Sequence, residues 1–257
     1  MKTLEHSLPE PAHNMACDEI LLDEVNEGRR EPVLRFWEAR THFAVVGYGN
    51  SIQRECDTEA CKRLGIPILR RISGGGAILQ GPGCLNYSLV MRINPGDATH
   101  SIGDTNCLIM TAHRKALSRA LGQEIEAQGH TDLTLGGVKF SGNAQRRRRS
   151  ALLFHGTFLL GFDLSLLGRA LRFPSSAPAY RDGRSHEAFC RNLPLADGPL
   201  KAALAKCGKP MAKLRLQTGR PLTTWPAAST PTRSGPIADP DAVSSGLIVV
   251  KSRRPIP

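Results

Sequence analysis

No apolar run in this 257-residue chain approaches the ~18 residues that a membrane-spanning helix requires. The N-terminus, Met-Lys-Thr-Leu-Glu-His, lacks the apolar core of a secretion signal. Both absences lead to the expectation of a cytoplasmic protein with no membrane partner. Its seven cysteines are an odd number and include no Cys-x-x-Cys pair, which excludes a disulfide framework and a structural zinc site. Acidic residues are in deficit: 23 Asp and Glu face 34 Lys and Arg, a formal charge of +11, so an anionic partner is expected. With 40% hydrophobic and 22% charged residues, the chain is neither disordered nor membrane-embedded as a whole. It shows no internal repeat.

What is there divides near residue 207. Residues 1–207 read as one α+β unit, a mixed sheet flanked by helices, because helical and β-rich stretches do not alternate strictly. Helical spacing marks 15–26, Glu55–Leu64 and His100–Leu121. β-rich runs occur at 33–37, 43–47, 68–72, 77–80, 85–93, 132–135, 138–145 and 151–160. Residues 208–257 hold eight of the eighteen prolines and read as a basic, Pro-rich tail, extended or poorly ordered. Leu247-Ile-Val-Val is its one strand-like run. The charge is split unevenly, since residues 201–257 hold ten Lys or Arg against two Asp, while residues 1–200 hold 24 basic against 21 acidic.

Three segments carry chemistry. In Leu69-Arg-Arg-Ile-Ser-Gly-Gly-Gly-Ala, the glycines Gly74, Gly75 and Gly76 permit positive φ and close approach of a ligand to backbone N–H groups. Arg70 and Arg71 add planar cations suited to phosphate or carboxylate. The glycines lead into a strand, and no Gly-Lys-Ser/Thr follows, so neither a Walker loop nor a dinucleotide fingerprint is present; a plain hairpin turn would use the same residues. In Gly136-Gly-Val-Lys-Phe-Ser-Gly-Asn-Ala-Gln, Lys139 is either a solvated strand lysine or a cation held against a ligand's charge. His155, in an apolar strand, is either a satisfied core residue or a ligand or base.

In this order the segments resemble the lipoate–protein ligase family. The resemblance rests on Arg70-Arg71-x-Ser73-Gly74-Gly75-Gly76-Ala77, Leu85-Asn86-Tyr87-Ser88, Lys139-x-Ser141-Gly142-Asn143-Ala144-Gln145 and His155-Gly156-Thr157. Asp18 and Tyr180-x-x-x-Arg184-Ser185-His186 agree more loosely, and residues 12–194 are covered. The resemblance implies a mixed-sheet catalytic domain like those of biotin ligases and class II aminoacyl-tRNA synthetases. It implies activation of lipoate by Mg-ATP as lipoyl-adenylate, then transfer to a lysine of an acidic carrier: a glycine-cleavage H-protein-like domain or a dehydrogenase E2 lipoyl domain. On it, Lys139 is the catalytic cation beside the α-phosphate. Arg70, Arg71, Ser73, Gly74–Gly76, Cys84, Gly142, Asn143, Ala144, His155 and Gly156 would bind substrate, and Asp132 would lie near metal-bound phosphates.

The chain departs from the family where Gln80-Gly81-Pro82-Gly83-Cys84 replaces a His-Asp-x-x-Asn pattern, setting a thiol where an asparagine is expected. That raises an alternative: related octanoyltransferases need no ATP and carry the acyl group on a cysteine thioester. In one branch the cysteine precedes the motif lysine by about fifteen residues, and here Glu124-Ile-Glu-Ala-Gln has none; Cys84 or Cys190 would have to substitute. A non-catalytic lipoyl- or nucleotide-binding module is the other alternative. The tail leaves no room for the family's accessory domain, so a separate accessory protein is expected if that function is needed. Arg146–Arg149 would meet ATP phosphates or steer an acidic carrier; nucleic acid is disfavoured as a partner.

Overall fold

In the computed structural model of the protein, residues 1–211 are described. The chain begins with β1 (Lys2–Glu5), α1 (Pro11–Asn26), β2 (Val33–Glu38) and β3 (Phe43–Val46). It continues through α2 (Ile52–Glu55), α3 (Thr58–Arg63), β4 (Ile68–Arg70), β5 (Ala77–Gln80) and β6 (Cys84–Arg92). Then come α4 (Ile102–Leu121), β7 (Glu126–Gln128), β8 (Asp132–Leu135), β9 (Val138–Arg147) and β10 (Ala151–Leu159), before α5 (Ser165–Ala170), α6 (His186–Phe189) and α7 (Asp197–Met211).

A seven-stranded sheet runs β1-β2-β6-β10-β9-β8-β7, and a three-stranded sheet runs β4-β3-β5. Both are mixed, since β1–β2 and β3–β4 pair in parallel while the other pairs are antiparallel. The expected mixed sheet with flanking helices is the observed architecture.

Strand alternation divides the side chains of the large sheet between two cores. Leu85, Tyr87, Leu89 and Met91 of β6 join Leu34, Phe36, Phe154 and Phe158 against α4 and α7. On the other face Val90, Val33 and Leu153 meet Leu21, Leu22 and Val25 of α1. Nearer the small sheet, Cys84 and Leu159 pack with Ala44, Val46 and Leu79, and Trp37 packs with Phe43, Val45 and Leu69. The face of the large sheet opposite α4, over which Ser73 of the glycine loop reaches His155, is the slot face, and the region it borders is the slot.

Local chemistry explains most boundaries. Ser101 caps α4 by accepting from Asp104 N at 3.0 Å, and the helix stops at Gly122 with φ +69°, an end glycine tolerates best. The helix expected over 55–64 is two pieces, because Asp57 accepts from Ala60 N at 2.9 Å and starts a new helix there. Strand β7, α5 and α7 have no counterpart in the sequence reading. Helix α7 spans position 207, where the tail was expected to begin, and the strand-like run at 247–250 lies outside the described residues. Among the described residues no helix is long and apolar enough to cross a membrane.

A buried ion pair fastens α1 beneath the slot. Arg35, 0% exposed, donates to Asp18 Oδ1 at 2.6 Å, to Asn14 Oδ1 at 2.7 Å, and to the carbonyls of His6 and Asn14. Asp18 Oδ2 accepts from Ser88 Oγ at 2.6 Å and Trp37 Nε1 at 3.2 Å. Burial pushes the Asp18 carboxyl upward, opposed by Arg35 and these donors. The Asp18 signature is thus a structural clamp.

Candidate active site

Arg71 braces the glycine loop, and Arg70 braces the neighbouring turn over 47–50. Arg70 Nη1 donates to the carbonyls of Gly47 and Asn50, both at 2.8 Å, and Arg71 Nη2 donates to Gly74 O and Gly76 O, also at 2.8 Å. Burial lowers Arg71 to about 10, opposed by Glu55. The expectation that both arginines face an anion therefore changes: these groups hold turn carbonyls, of which Gly47 O and Gly76 O also accept from Asn50 N and Gly47 N. Gly75 has φ +93°, a conformation side chains resist. Ser73, 1% exposed, ties the loop to the large sheet through a 2.6 Å hydrogen bond between its Oγ and His155 Nε2.

Lys139 and Asp132 meet across β8 and β9. Lys139 Nζ lies 2.8 Å from Asp132 Oδ1, Tyr180 OH donates to Asp132 Oδ2 at 2.7 Å, and the ammonium stands 5.9 Å from the centre of the Phe189 ring. A Cβ on Gly142 would fall 2.9 Å from Lys139 Nζ, so a side chain there would push this cation aside. Both Asp132 oxygens are engaged, and among the described residues no three metal-ligating side chains cluster. Asp132 thus offers one carboxylate to a cation that would arrive on phosphate oxygens, as magnesium commonly does.

The Asn143 Oδ1 accepts from Tyr87 OH and its Nδ2 donates to Thr131 O, both at 2.6 Å, so its amide pins the Thr131 turn to the sheet. Gly156 makes room for that side chain, since a Cβ there would collide with Asn143 Oδ1. Ala144 is the register partner of His155 and lies on the slot face.

The departure at 80–84 has a packing reason. A Cβ on Gly81 would fall 2.5 Å from His42 Cδ2, so an aspartate there would require the His42 ring to move. Cys84 is 0% exposed among Leu79, Leu159 and Phe162, and burial pushes its thiol up to about 12. It is not a ready nucleophile. Cys190 is the cysteine beside Lys139, through a bridge between the two residues and a 2.8 Å bond from Arg191 N to Lys139 O. Burial raises its thiol, opposed by Lys139 and Arg181.

The four-arginine run does not form one patch. Arg146 stands 5.5 Å from the Tyr48 ring at a roughly 350 Å³ cavity that Gly74 also lines, whereas Arg147 donates to Thr99 O and His100 O and Arg148 pairs with Asp23. Arg147 also lines that cavity, while Arg148 is turned to α1. The sequence reading gave no role to Gln80 and only motif membership to Asn86 and Thr157, yet these three polar side chains are buried together in the slot. A polar residue at every second position of the β-rich runs was the available signal.

Desolvation holds two imidazoles neutral, pushing His155 and His113 each down to about 3, with Arg71 adding to the effect at His155. An unfolded histidine takes its proton near pH ~6.5, so stability is complete above that value and is lost as pH falls toward ~3, by up to ~1.4 kcal/mol per pH unit for each ring. Urea midpoints should accordingly drop steeply between neutrality and mild acid. Replacing His113 with glutamine should shallow that slope, and an unchanged midpoint across the range would contradict the buried neutral rings.

Residues 10–195 match the lipoyl protein ligase A/B catalytic domain. The octanoyltransferase LipM of Moorella thermoacetica is 31% identical over 199 residues, covering 70% of this chain and 72% of the relative. A putative lipoate-protein ligase A of Aeropyrum pernix is 34% identical over 160 residues, 62% of this chain and 57% of the relative. A solved structure of a bi-partite lipoate protein ligase and its E2 lipoyl domain, from Thermoplasma acidophilum, superposes with a TM-score of 0.70 at 25% identity, covering 82% and 83% of the two chains. With the glycine loop, the Lys139–Asp132 pair and the His155–Ser73 contact assembled on one sheet face, the chain belongs to the lipoyl protein ligase A/B catalytic-domain family.

Proposed function

We propose that the protein is a lipoate–protein ligase, activating an eight-carbon acyl acid with Mg-ATP and passing it to a carrier lysine. The observation that carries this reading is Lys139, whose ammonium is held by Asp132 above Gly142 at one end of the slot. A fixed cation there stabilises charge on an α-phosphate and on the acyl carbonyl oxygen as the acyl carboxylate displaces pyrophosphate. The carrier amine then attacks the acyl carbon and AMP leaves. Arg71 and Ser73 hold the glycine loop over the reacting groups, and the loop limits access of water to the mixed anhydride. Asp132 is the residue that would share a magnesium ion with phosphate; that ion supplies neutralisation of phosphate charge. Gly142 and Ala144 give the nucleotide close approach to the sheet, and Arg146 supplies a second cation beside the loop.

The carrier fits a lipoyl domain, as in the Thermoplasma pair, and the same bi-partite relative supports a separate accessory protein. Incubation with ATP, magnesium, lipoate and an apo E2 lipoyl domain should raise the carrier's mass by one lipoyl group. Modification from an acyl-carrier thioester without ATP would replace this reading with the transferase one.

One observation favours that second reading. Cys190 adjoins Lys139, and a LipM octanoyltransferase is among the relatives. On the ligase reading Cys190→Ser keeps most of the ATP-dependent activity. A transferase that uses this thiol would lose all turnover and the acyl-enzyme mass.

A further inference from the structure

Segment 172–191, which follows α5, lies against the hairpin of β8 and β9. Its own groups hold much of it together. Arg184 Nη2 donates to Tyr180 O at 2.7 Å, Arg184 Nε to Arg181 O at 3.0 Å, and Arg181 Nε to Arg184 O at 2.9 Å. To the hairpin it is tied mostly through main-chain carbonyls: Arg184 Nη1 donates to Gly137 O at 3.2 Å and Arg191 N to Lys139 O at 2.8 Å. Among the described residues, one hydrogen bond joins a side chain of this segment to a side chain of β8 or β9. It runs from Tyr180 OH to Asp132 Oδ2 at 2.7 Å, across 48 positions of sequence.

The fold makes room for this contact. Gly129 has φ +56°, and a Cβ there would fall 3.3 Å from Tyr180 Cε1, so a side chain at 129 would press on the ring. The Tyr180 ring also meets Phe189, with 5.1 Å between ring centres, and the same Phe189 ring stands 5.9 Å from the Lys139 ammonium. Burial, and then the Asp132 carboxylate, push the Tyr180 phenol upward from its usual range. At neutral pH it therefore keeps its proton and acts as the donor.

Asp132 is thus held at both oxygens, Oδ2 by Tyr180 and Oδ1 by Lys139 Nζ at 2.8 Å. The terminal torsion of an aspartate is broad, so a carboxylate held at one oxygen alone turns more freely. A lysine carries its charge on a flexible four-carbon stem, and a partner that turns lets that stem wander. Developing charge is stabilised best by a cation already in place before the reaction, since no reorganisation is then needed. We infer that Tyr180 is a positioning residue for the reaction: by fixing the Asp132 carboxylate it fixes the Lys139 ammonium, and it acts through these two groups rather than on the substrate. This inference rests on the acyl-transfer reading above and adds to it the residue that sets the cation in place.

The test is a double-mutant cycle. Tyr180→Phe keeps the ring that lies against Phe189 and Gly129 and removes only the hydroxyl. With an apo E2 lipoyl domain as carrier and the mass gain as readout, it should lower kcat about tenfold, the scale expected for a displaced reacting group. The KM for lipoate should stay within about twofold, since the lost effect belongs to the transition state. In a Lys139→Met background the same change should cost nothing further, because the group it acts through is gone. A hydroxyl that only supports the fold would cost the same factor in both backgrounds, and that result overturns the inference. A Tyr180→Phe variant with the kcat of the unaltered protein overturns it as well. Urea midpoints of the same four proteins need no turnover: the shift of the double variant should differ from the sum of the two single shifts, because both act on one carboxylate. Strict additivity there overturns the link. Failure to transfer an acyl group from either lipoate with ATP or an acyl-carrier thioester, together with non-additive midpoints, would refute the acyl-transfer reading and leave the Tyr180–Asp132–Lys139 link standing.

Discussion

Replacing Lys139 with methionine is expected to lower turnover by ~10²–10³, the usual cost of removing one preorganised group that stabilises developing charge. Methionine keeps an apolar stem of similar length and removes the ammonium, with its contact to the Phe189 ring. The loss should fall on kcat more than on the KM for lipoate, because the charge that Lys139 stabilises is largest in the transition state. Asp132 would lose its ion pair but keep the Tyr180 hydrogen bond, so the variant should remain folded by circular dichroism. The measurement is the rate of mass gain by the carrier. A variant with the activity of the unaltered protein would remove Lys139 from the reacting centre.

Asp18→Ala is expected to be the most damaging single change to stability. It strips the carboxylate from a guanidinium that is 0% exposed, and an uncompensated buried charge of this kind costs ~3–5 kcal/mol. That is a large share of the ~5–15 kcal/mol by which a typical domain is stable. Ser88 and Trp37 lose their acceptor at the same time, and both stand in the floor of the slot. Urea denaturation at neutral pH should show the loss as a lower midpoint. The double change Asp18→Leu with Arg35→Met should lose less than Asp18→Ala alone, because it removes the charge along with its partner. A loss below ~1 kcal/mol for Asp18→Ala would mean that the pair is not buried as described.

The motif residues differed in how far the sequence revealed them. Lys139 and Gly142 were legible as members of one motif, but residues three apart on a regular strand face opposite sides, so their contact depends on the register irregularity between β8 and β9. The Ser73–His155 contact spans 82 positions and exists only once β10 lies beneath the glycine loop. Asn143 and Arg71 were legible as polar residues in a motif, but which partner they take was not. Asn143 reaches Tyr87 and Thr131, and Arg71 reaches the carbonyls of its own loop. The arginine run divides for the same kind of reason. Alternation along β9 sends Arg146 and Arg147 to opposite faces, and Arg148, past the end of the strand, pairs with Asp23.

By itself the sequence determined the local elements and the order of the motifs. Periodicity, caps and glycines act between residues a few positions apart, and they located most helices and strands, the glycine loop and the lysine. Only the tertiary structure decided the strand register that sets Trp37, Asn86, Thr157, Gly142 and Asp132 in one row, the burial of Cys84, and the burial of Gln80 Oε1 and Asn86 Nδ2 without a partner among the described residues. Strand register brings together residues 71 and 77 positions apart, and a hydrophobic pattern of period two says which face a side chain takes but not which strand will lie beside it. The deficit of acidic residues changes meaning with that knowledge. Most of the net charge belongs to residues 201–257, while the cations nearest the slot are Lys139 and Arg146, set there by pairing between strands.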